Sequence, residues 1–481
     1  MILIKNVKII DGTGRPAFPG DVLISGDKIS AIGSFPSRKA EVVIEGLGSY
    51  LAPGFIDINS QIDHDLTLFT NPNQKQLTDQ GITTAIGGHG GSSLTPLLYG
   101  SLKSIQKWTD INQVNVNWQS FAEFVQVVKK LPLGVNFGSL VGHSTIRRDI
   151  LGEYLTDLTD NEIKVFKNLL EQSLKEGAFG LSTGLNFVHA RQAPQMEIKE
   201  LVSVVAKNNG LYATHLRNEK EGIVEAVTEI IDIYKATSAK TIVSRFLPFL
   251  KMENQFELAY DLLRQGGDGL FFVVHLNDAD LVPLYTLLPI WAQKGNLQEM
   301  LAVIANPANE KRVLAELPKL KDDCFIAKAR EYNYLTGKTI KEFSENRELG
   351  ANRGLLELMK ITQLKAVVGL KNINCDLALQ TLDDNKCFVA QPFSNYLAIA
   401  DKKRWPIEKT IAKITGLPAQ ILNLKNRGLI KENYFADLVL IHDNAAQKVI
   451  VNGQVADDKK ADRQQASLAQ KAGGQFLTLT G

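Results

Sequence analysis

Cysteine is scarce in this chain: only Cys324, Cys375 and Cys387 occur in 481 residues. Three cysteines so unevenly spaced make neither a disulfide framework nor a CxxC metal site, which favours a reducing compartment. An excess of one charge is also missing. The 54 basic and 52 acidic side chains leave a formal net charge of +2, so no long-range field draws nucleic acid or an anionic membrane, and neither is expected as a partner. No apolar run approaches the ~20 residues of a membrane span. The N-terminal run Met1–Ile10 is interrupted by Lys5 and Lys8, unlike the core of a secretory leader. A cytoplasmic location is the expectation. What is present, 44% hydrophobic and 22% charged residues, is the composition of a globular protein and excludes disordered, collagen-like and coiled-coil classes.

Two styles of patterning divide the chain. Near the start, Ile2, Ile4, Val7 and Ile9 precede a turn at Asp11–Gly14, and Asp21–Ile24 and Lys28–Ile32 flank Gly26-Asp27, a pair suited to a primed hairpin turn. The far end repeats this with Asp437–Ile441, Val449–Val451 and the turn Asn452-Gly453. Neither end has enough strands to bury a face alone, so residues 1–52 and 425–481 are expected to pair into one small β-sandwich domain. The closing Phe476–Leu479 reads as a short added strand after a solvated Lys- and Gln-rich stretch.

Between them, over 53–424, apolar runs alternate with amphipathic helices. The runs are Phe55–Ile58, Thr83–Ile86, Asn136–Val141, Ala178–Ser182, Leu211–Thr214, Thr241–Ser244, Leu270–Val274 and Ala366–Gly369. The clearest helix starts at Thr159-Asp160-Asn161-Glu162, a capping-box spacing, carries Ile163, Phe166, Leu170 and Leu174 on one stripe and stops at Gly177. Eight strand-then-helix units predict an α/β fold, a (β/α)8 TIM barrel, with a doubly wound sheet as the alternative. About 278–364 is too long for one loop and reads as a helical insertion between strands seven and eight, over the barrel mouth.

Barrel chemistry sits at the C-terminal ends of the strands. Those ends carry Asn59 and Gln61, His89, His143, Ser182, His215, Arg245, His275 and, after the eighth run, Lys371. Leu51–Asp57 resembles the P-G-F-I-D run that precedes the H-x-H metal motif of the amidohydrolase superfamily. Gln80–Thr84, Gly142–Arg147, Gly177–Leu185, Leu211–Glu219, Arg427–Ile430, Ala436–Val439 and Val451–Gly453 resemble the N-acyl-D-amino-acid deacylase (D-aminoacylase) branch, in the same order along nearly the whole chain. The resemblance implies a metal-dependent barrel with a flanking β-sandwich that hydrolyses the amide of an N-acylated D-amino acid. It also implies two His after strand one, a Cys after strand two, single His residues after strands five and six, and an Asp after strand eight.

This sequence departs from that set. The H-x-H slot holds Asn59-Ser60-Gln61, Gly90 stands at the Cys slot, Arg245 at the second single His, and Lys371 at the catalytic Asp, leaving His215. Neutral amides are poor zinc ligands, and two cations repel a dication. The expectation is therefore a degenerate metal site and a pseudoenzyme with no cofactor. The remaining role is binding or scaffolding: a small anionic ligand at the mouth, with His143, Arg147, Ser182, Arg217 and Arg245 as substrate- or anion-binding residues, or membership of a homo-oligomer or other assembly. The bland readings are internal salt bridges for the arginines and a family scaffold for His143 and Arg147. The alternative is an active metal-dependent hydrolase of the same amides, with zinc held by a rebuilt set from Asp63, His64, Asp65, His89, His215 and His275.

Overall fold

The computed structural model describes residues 1–100, 102–106, 109–456 and 473–479. Phe55–Asp57, Ile82–Gly87 and Asn136–Ser139 pair in parallel. The third strand continues as Val141–Gly142 and leads into Gly180–Gly184, Leu211–His215, Lys240–Val243 and Leu270–Val274, again in parallel. Ile56, Ile86, Leu140, Phe179, Ala213, Ile242, Val273 and Phe388, drawn from each of the eight staves, form one buried core. That is the packed interior of a TIM barrel, and it fixes which strand ends share a rim.

The helices form for the reasons their sequences suggest. Asp160–Lys175 opens on Thr159, whose hydroxyl accepts from the Glu162 amide, while the Glu162 carboxylate accepts from the Thr159 amide at 2.7 Å. These bonds satisfy donors that a helix start leaves unpaired. Phe166, Leu170 and Leu174 are buried. Gln195–Lys207, Ile223–Thr237 and Glu253–Gln265 likewise bury apolar residues such as Leu201, Val227 and Phe256, but start without a side-chain cap. Among the described residues no helix is long and apolar enough to cross a membrane.

The eighth strand is not the one expected. Val367–Lys371 pairs antiparallel with Ala279–Pro283 and with Phe325–Lys328. The stave beside Leu270–Val274 is Cys387–Val389. Two consequences correct the sequence reading. The insertion is not purely helical: it is a three-stranded antiparallel sheet with helices Leu297–Ala305, Pro307–Glu316, Ile340–Glu345 and Ala351–Ile361. It closes its own core on residues such as Leu284, Ile304, Ile326, Phe343 and Leu358. And Lys371 belongs to that insertion, not to the barrel rim. An apolar run after an amphipathic helix looks alike in both settings, because strand direction is decided by partners distant in sequence.

The two chain ends join in one eight-stranded sheet. Tyr50–Pro53 pairs antiparallel with Leu438–His442, so the N-terminal strands and the C-terminal hairpin share a core of Ile4, Ile9, Val22, Leu51, Leu438 and Ile450. The closing segment returns to the barrel. Phe476 bridges Phe137 and packs its ring against Phe121, Phe124 and Phe137. The solvated stretch expected before it falls largely on 457–472, outside the described residues.

Candidate functional site

A cavity of about 1000 Å3 opens where the strand ends meet the insertion. Asn59, Gln61, Gly90, His215, Arg245, His275 and Gln391 reach it from the barrel, and Leu281, Val282, Ile290, Lys328 and Leu370 from the insertion. Two of the strand-end amides are committed to neighbours. The Asn59 amide donates to the Ser244 carbonyl at 2.9 Å. Gln391, the residue that truly follows strand eight, donates to the Asp57 carboxylate at 2.6 Å. Thus the position where the resemblance calls for an Asp carries a neutral amide, and the cation read there from the sequence, Lys371, lies 3.9 Å from Asp278 away from the cavity lining. A Cβ built on Gly90 would sit 3.3 Å from Cε1 and 3.7 Å from Nε2 of His215. A side chain at 90 would therefore point at that imidazole.

Arg245 is clamped. Its guanidinium donates to Glu219 from the loop after strand five and to Asp280 from the insertion. Burial by itself would lower the Arg245 pKa; the carboxylates of Asp280 and Glu219 more than reverse this and raise it. Glu219 is pushed upward, first by burial and then by the Asp280 charge, with Arg245 opposing. A second ion pair, Lys328 to Asp65, crosses from insertion to rim.

The other sequence candidates fall in several places. His143 and Arg147 lie beneath the rim, both bonded to buried Glu197 at 2.7 and 3.0 Å, and His143 stacks on Phe166. Ser182 donates to the Gly88 carbonyl and accepts from the Gly91 amide, bracing the glycine loop. Neither these two nor Ser182 lines the cavity, so the scaffold reading describes all three. Arg217 reaches the cavity, but Glu229 holds its Nε and Nη2 at 3.0 and 2.7 Å. Of the rebuilt set, Asp63 accepts from the Gly88 amide at 2.6 Å. His64 faces Gln61 and the Ser92 carbonyl, Asp65 pairs with Lys328, and His89 meets the Ser244 hydroxyl at 3.2 Å. Among the described residues no three His, Cys, Asp or Glu side chains are grouped to hold a metal. Zinc requires anionic or imidazole donors in a tetrahedral set; two neutral amides, a glycine, a guanidinium and a third amide do not fit it.

Sequence reading missed Gln391, because a three-residue stave carries no periodic signal. It also missed the Asp280 and Lys328 contacts, which arise only when the insertion folds back.

Burial sets the protonation of the floor. His89 is fully buried; its pKa is pushed down to about 3 by burial, with the His64 charge adding to it. His275 falls to about 4 by burial and the Arg245 charge. Asp57 rises to about 6 because burial outweighs the bonds from Asn59, Ser60 and Gln391. The signs oppose. A histidine with a depressed folded pKa takes up its proton more readily when unfolded, so stability drops as pH falls below ~6.5. A carboxylate with a raised pKa costs stability as pH rises from ~4 to ~6. Two histidines against one carboxylate predict net loss of stability on acidification from pH 6.5 to 4.5. The variant His89→Gln should flatten that slope by on the order of 3 kcal/mol. Urea unfolding at a series of pH values tests it, and an unchanged slope would refute the assignment.

Comparison with known proteins places this geometry. The N-acyl-D-aspartate deacylase of Alcaligenes xylosoxydans xylosoxydans is 28% identical over 453 residues, spanning 91% of this chain and 85% of that protein. The D-aminoacylase of the same organism is 26% identical over 451 residues, 91% of this chain and 87% of its own. Among solved structures, the N-acyl-D-glutamate deacylase of Bordetella bronchiseptica, complexed with zinc and a phosphonate mimic of the tetrahedral intermediate, has a TM-score of 0.81 at 21% identity over 99% of both chains. A D-aminoacylase structure gives 0.78 at 22%, again over 99% of both. At these identities the structural likeness carries the fold. No protein-family profile matches the chain.

Proposed function

We propose that this chain is a divergent relative of the D-aminoacylase branch of the amidohydrolase superfamily and that it binds a small organic anion in the barrel mouth without hydrolysing it. One observation carries the reading: the cavity persists while the strand-end donors are gone. Asn59, Gln61, Gly90, Arg245 and Gln391 stand at five of the six slots, and His215 alone remains. Zinc held in such a barrel would lower the pKa of a bound water to ~7 and polarise the scissile carbonyl; His215, the one imidazole at those six slots, beside amides and a guanidinium does not make a donor set that holds it.

What these residues do instead is bind and exclude water. Leu247, Phe249, Leu281, Val282 and Ile290 offer an apolar wall to an acyl chain. The amides of Asn59 and Gln391 are oriented by Ser244 and Asp57, so the polar floor is preset. A cavity that is mainly apolar with a few placed polar groups is the ordinary form of a small-molecule site. Fold and activity are separable, so retention of the barrel is compatible with loss of chemistry.

The test is a pair of measurements on the full chain. N-acyl-D-amino acids are expected to raise the melting temperature by a few degrees at saturating concentration, because a ligand selective for the folded state stabilises it by mass action. No free amino acid should accumulate in the same samples over days. Turnover above the buffer blank, or the absence of any thermal shift, would overturn the proposal.

A further inference from the structure

Five cationic side chains line the cavity: Arg191, Arg217, Lys220, Arg245 and Lys328. Three are already neutralised. Arg217 is held by Glu229, Arg245 by Glu219 and Asp280, and Lys328 by Asp65. The three carboxylates that line the cavity, Asp65, Glu219 and Asp280, are the same ones consumed in these pairs. Among the described residues no acidic side chain forms an ion pair with Arg191 or Lys220. The Arg191 guanidinium donates only to the neutral Asn186 carbonyl, and the Lys220 ammonium lies over the Phe249 ring, 5.4 Å from its centroid.

The segments that carry these two cations are tied together and both line the cavity. Arg217 donates to the backbone carbonyl of Arg191, so the end of the short helix Val188–Arg191 is tied to the loop that carries Lys220 three residues later. Phe249, beneath Lys220, belongs to the apolar wall with Leu247. Uncompensated positive charge and apolar surface therefore meet on one side of the mouth.

We infer that Arg191 and Lys220 form the anion-recognition pair of the cavity and that its ligand is an amphiphilic carboxylate, its charged end at these residues and its apolar body along Leu247, Phe249 and the insertion. The assignment rests on the binding function proposed above and moves the anion site away from Arg245 and Arg217. Those arginines would have to give up buried carboxylates before accepting another. A guanidinium and an ammonium that are not ion-paired to a carboxylate can donate charge-assisted hydrogen bonds to one without breaking a buried ion pair.

Decanoate and its neutral isostere decanamide are the probes, titrated calorimetrically into the full chain. The wild type should prefer decanoate. The double variant R191Q/K220Q should weaken decanoate about tenfold, which corresponds to ~1.4 kcal/mol, and leave decanamide within about twofold of wild type. K220Q alone changes only a rim side chain and should give an intermediate loss, which covers the case in which replacing Arg191 disturbs folding. K371Q, on the insertion away from the cavity, should change neither affinity. A double variant or K220Q that keeps the full preference for decanoate overturns the pair. Equal affinity of the wild type for both probes overturns the anionic class while leaving binding intact. Failure of both probes to bind the wild type overturns this assignment, while the binding function stands or falls on the thermal shift with N-acyl-D-amino acids.

Discussion

Purified without chelators, this protein will carry far less than one zinc per chain, and no single reversion at the strand ends will change that. Restoring one slot, by Asn59→His, Gln61→His, Arg245→His or Gln391→Asp, gives at most two adequate donors with His215, and zinc needs three or more protein ligands to be retained. The slot at Gly90 is the hardest to restore. Its φ of +59° is left-handed, a conformation that costs a side-chain-bearing residue roughly 1–2 kcal/mol. Gln391→Asp carries a separate penalty, because residue 391 is within hydrogen-bond reach of the Asp57 carboxylate and two carboxylates in such contact cannot both ionise cheaply. Combinations that bring the donors to three or more together with His215 should raise metal content toward stoichiometry. Elemental analysis decides the matter: near-stoichiometric zinc in the wild type would refute the non-hydrolytic reading, and zinc retained by any single revertant would show that unrecognised donors exist nearby.

Arg245→Met should destabilise the protein by about 3–5 kcal/mol, the usual cost of stranding a buried charge by removing its partner. Two carboxylates are stranded here, Glu219 and Asp280, whose side chains are 10% and 6% exposed in the pair. The loss should be greatest at neutral pH and should shrink on acidification, because protonating either carboxyl removes the uncompensated charge. The triple variant R245M/E219Q/D280N should regain most of the stability, since replacing a whole buried ion cluster with neutral groups of similar size is far less costly than breaking it. Urea denaturation at pH 7.5 and 5.5 measures both effects. A single variant within about 1 kcal/mol of wild type would mean that water solvates the triad and that Arg245 does not fasten the insertion to the rim.

Much of the barrel was legible because its signals are local. Thr159 and Glu162 mark a helix start through bonds three residues apart, and apolar runs at seven staves alternate with helical stripes at a spacing that only parallel strands require. Several rim residues, Asn59, Gln61, His215, Arg245 and His275, followed from the strand ends, whereas His143 and Ser182, read the same way, do not line the cavity. The eighth stave was not legible. Cys387–Val389 is three residues long, while Ala366–Gly369 looks like a better strand and is one, in another sheet. The same limit hid the fate of the charges. Arg217 and Arg245 could equally have been anion sites or internal salt bridges, and the sequence contains no term that distinguishes an arginine facing Glu229 from one facing solvent.

By itself, then, the order of residues determined the α/β barrel and the strand-rich chain ends, because each depends on residue type and short-range spacing. Tertiary structure alone decided that Gln391 rather than Lys371 follows the last stave, that His143 and Arg147 brace Glu197 below the rim, and which cations remain without a carboxylate. These facts depend on contacts between segments separated by up to several hundred residues, and such contacts are chosen by the packing of the whole chain rather than by any one stretch of it.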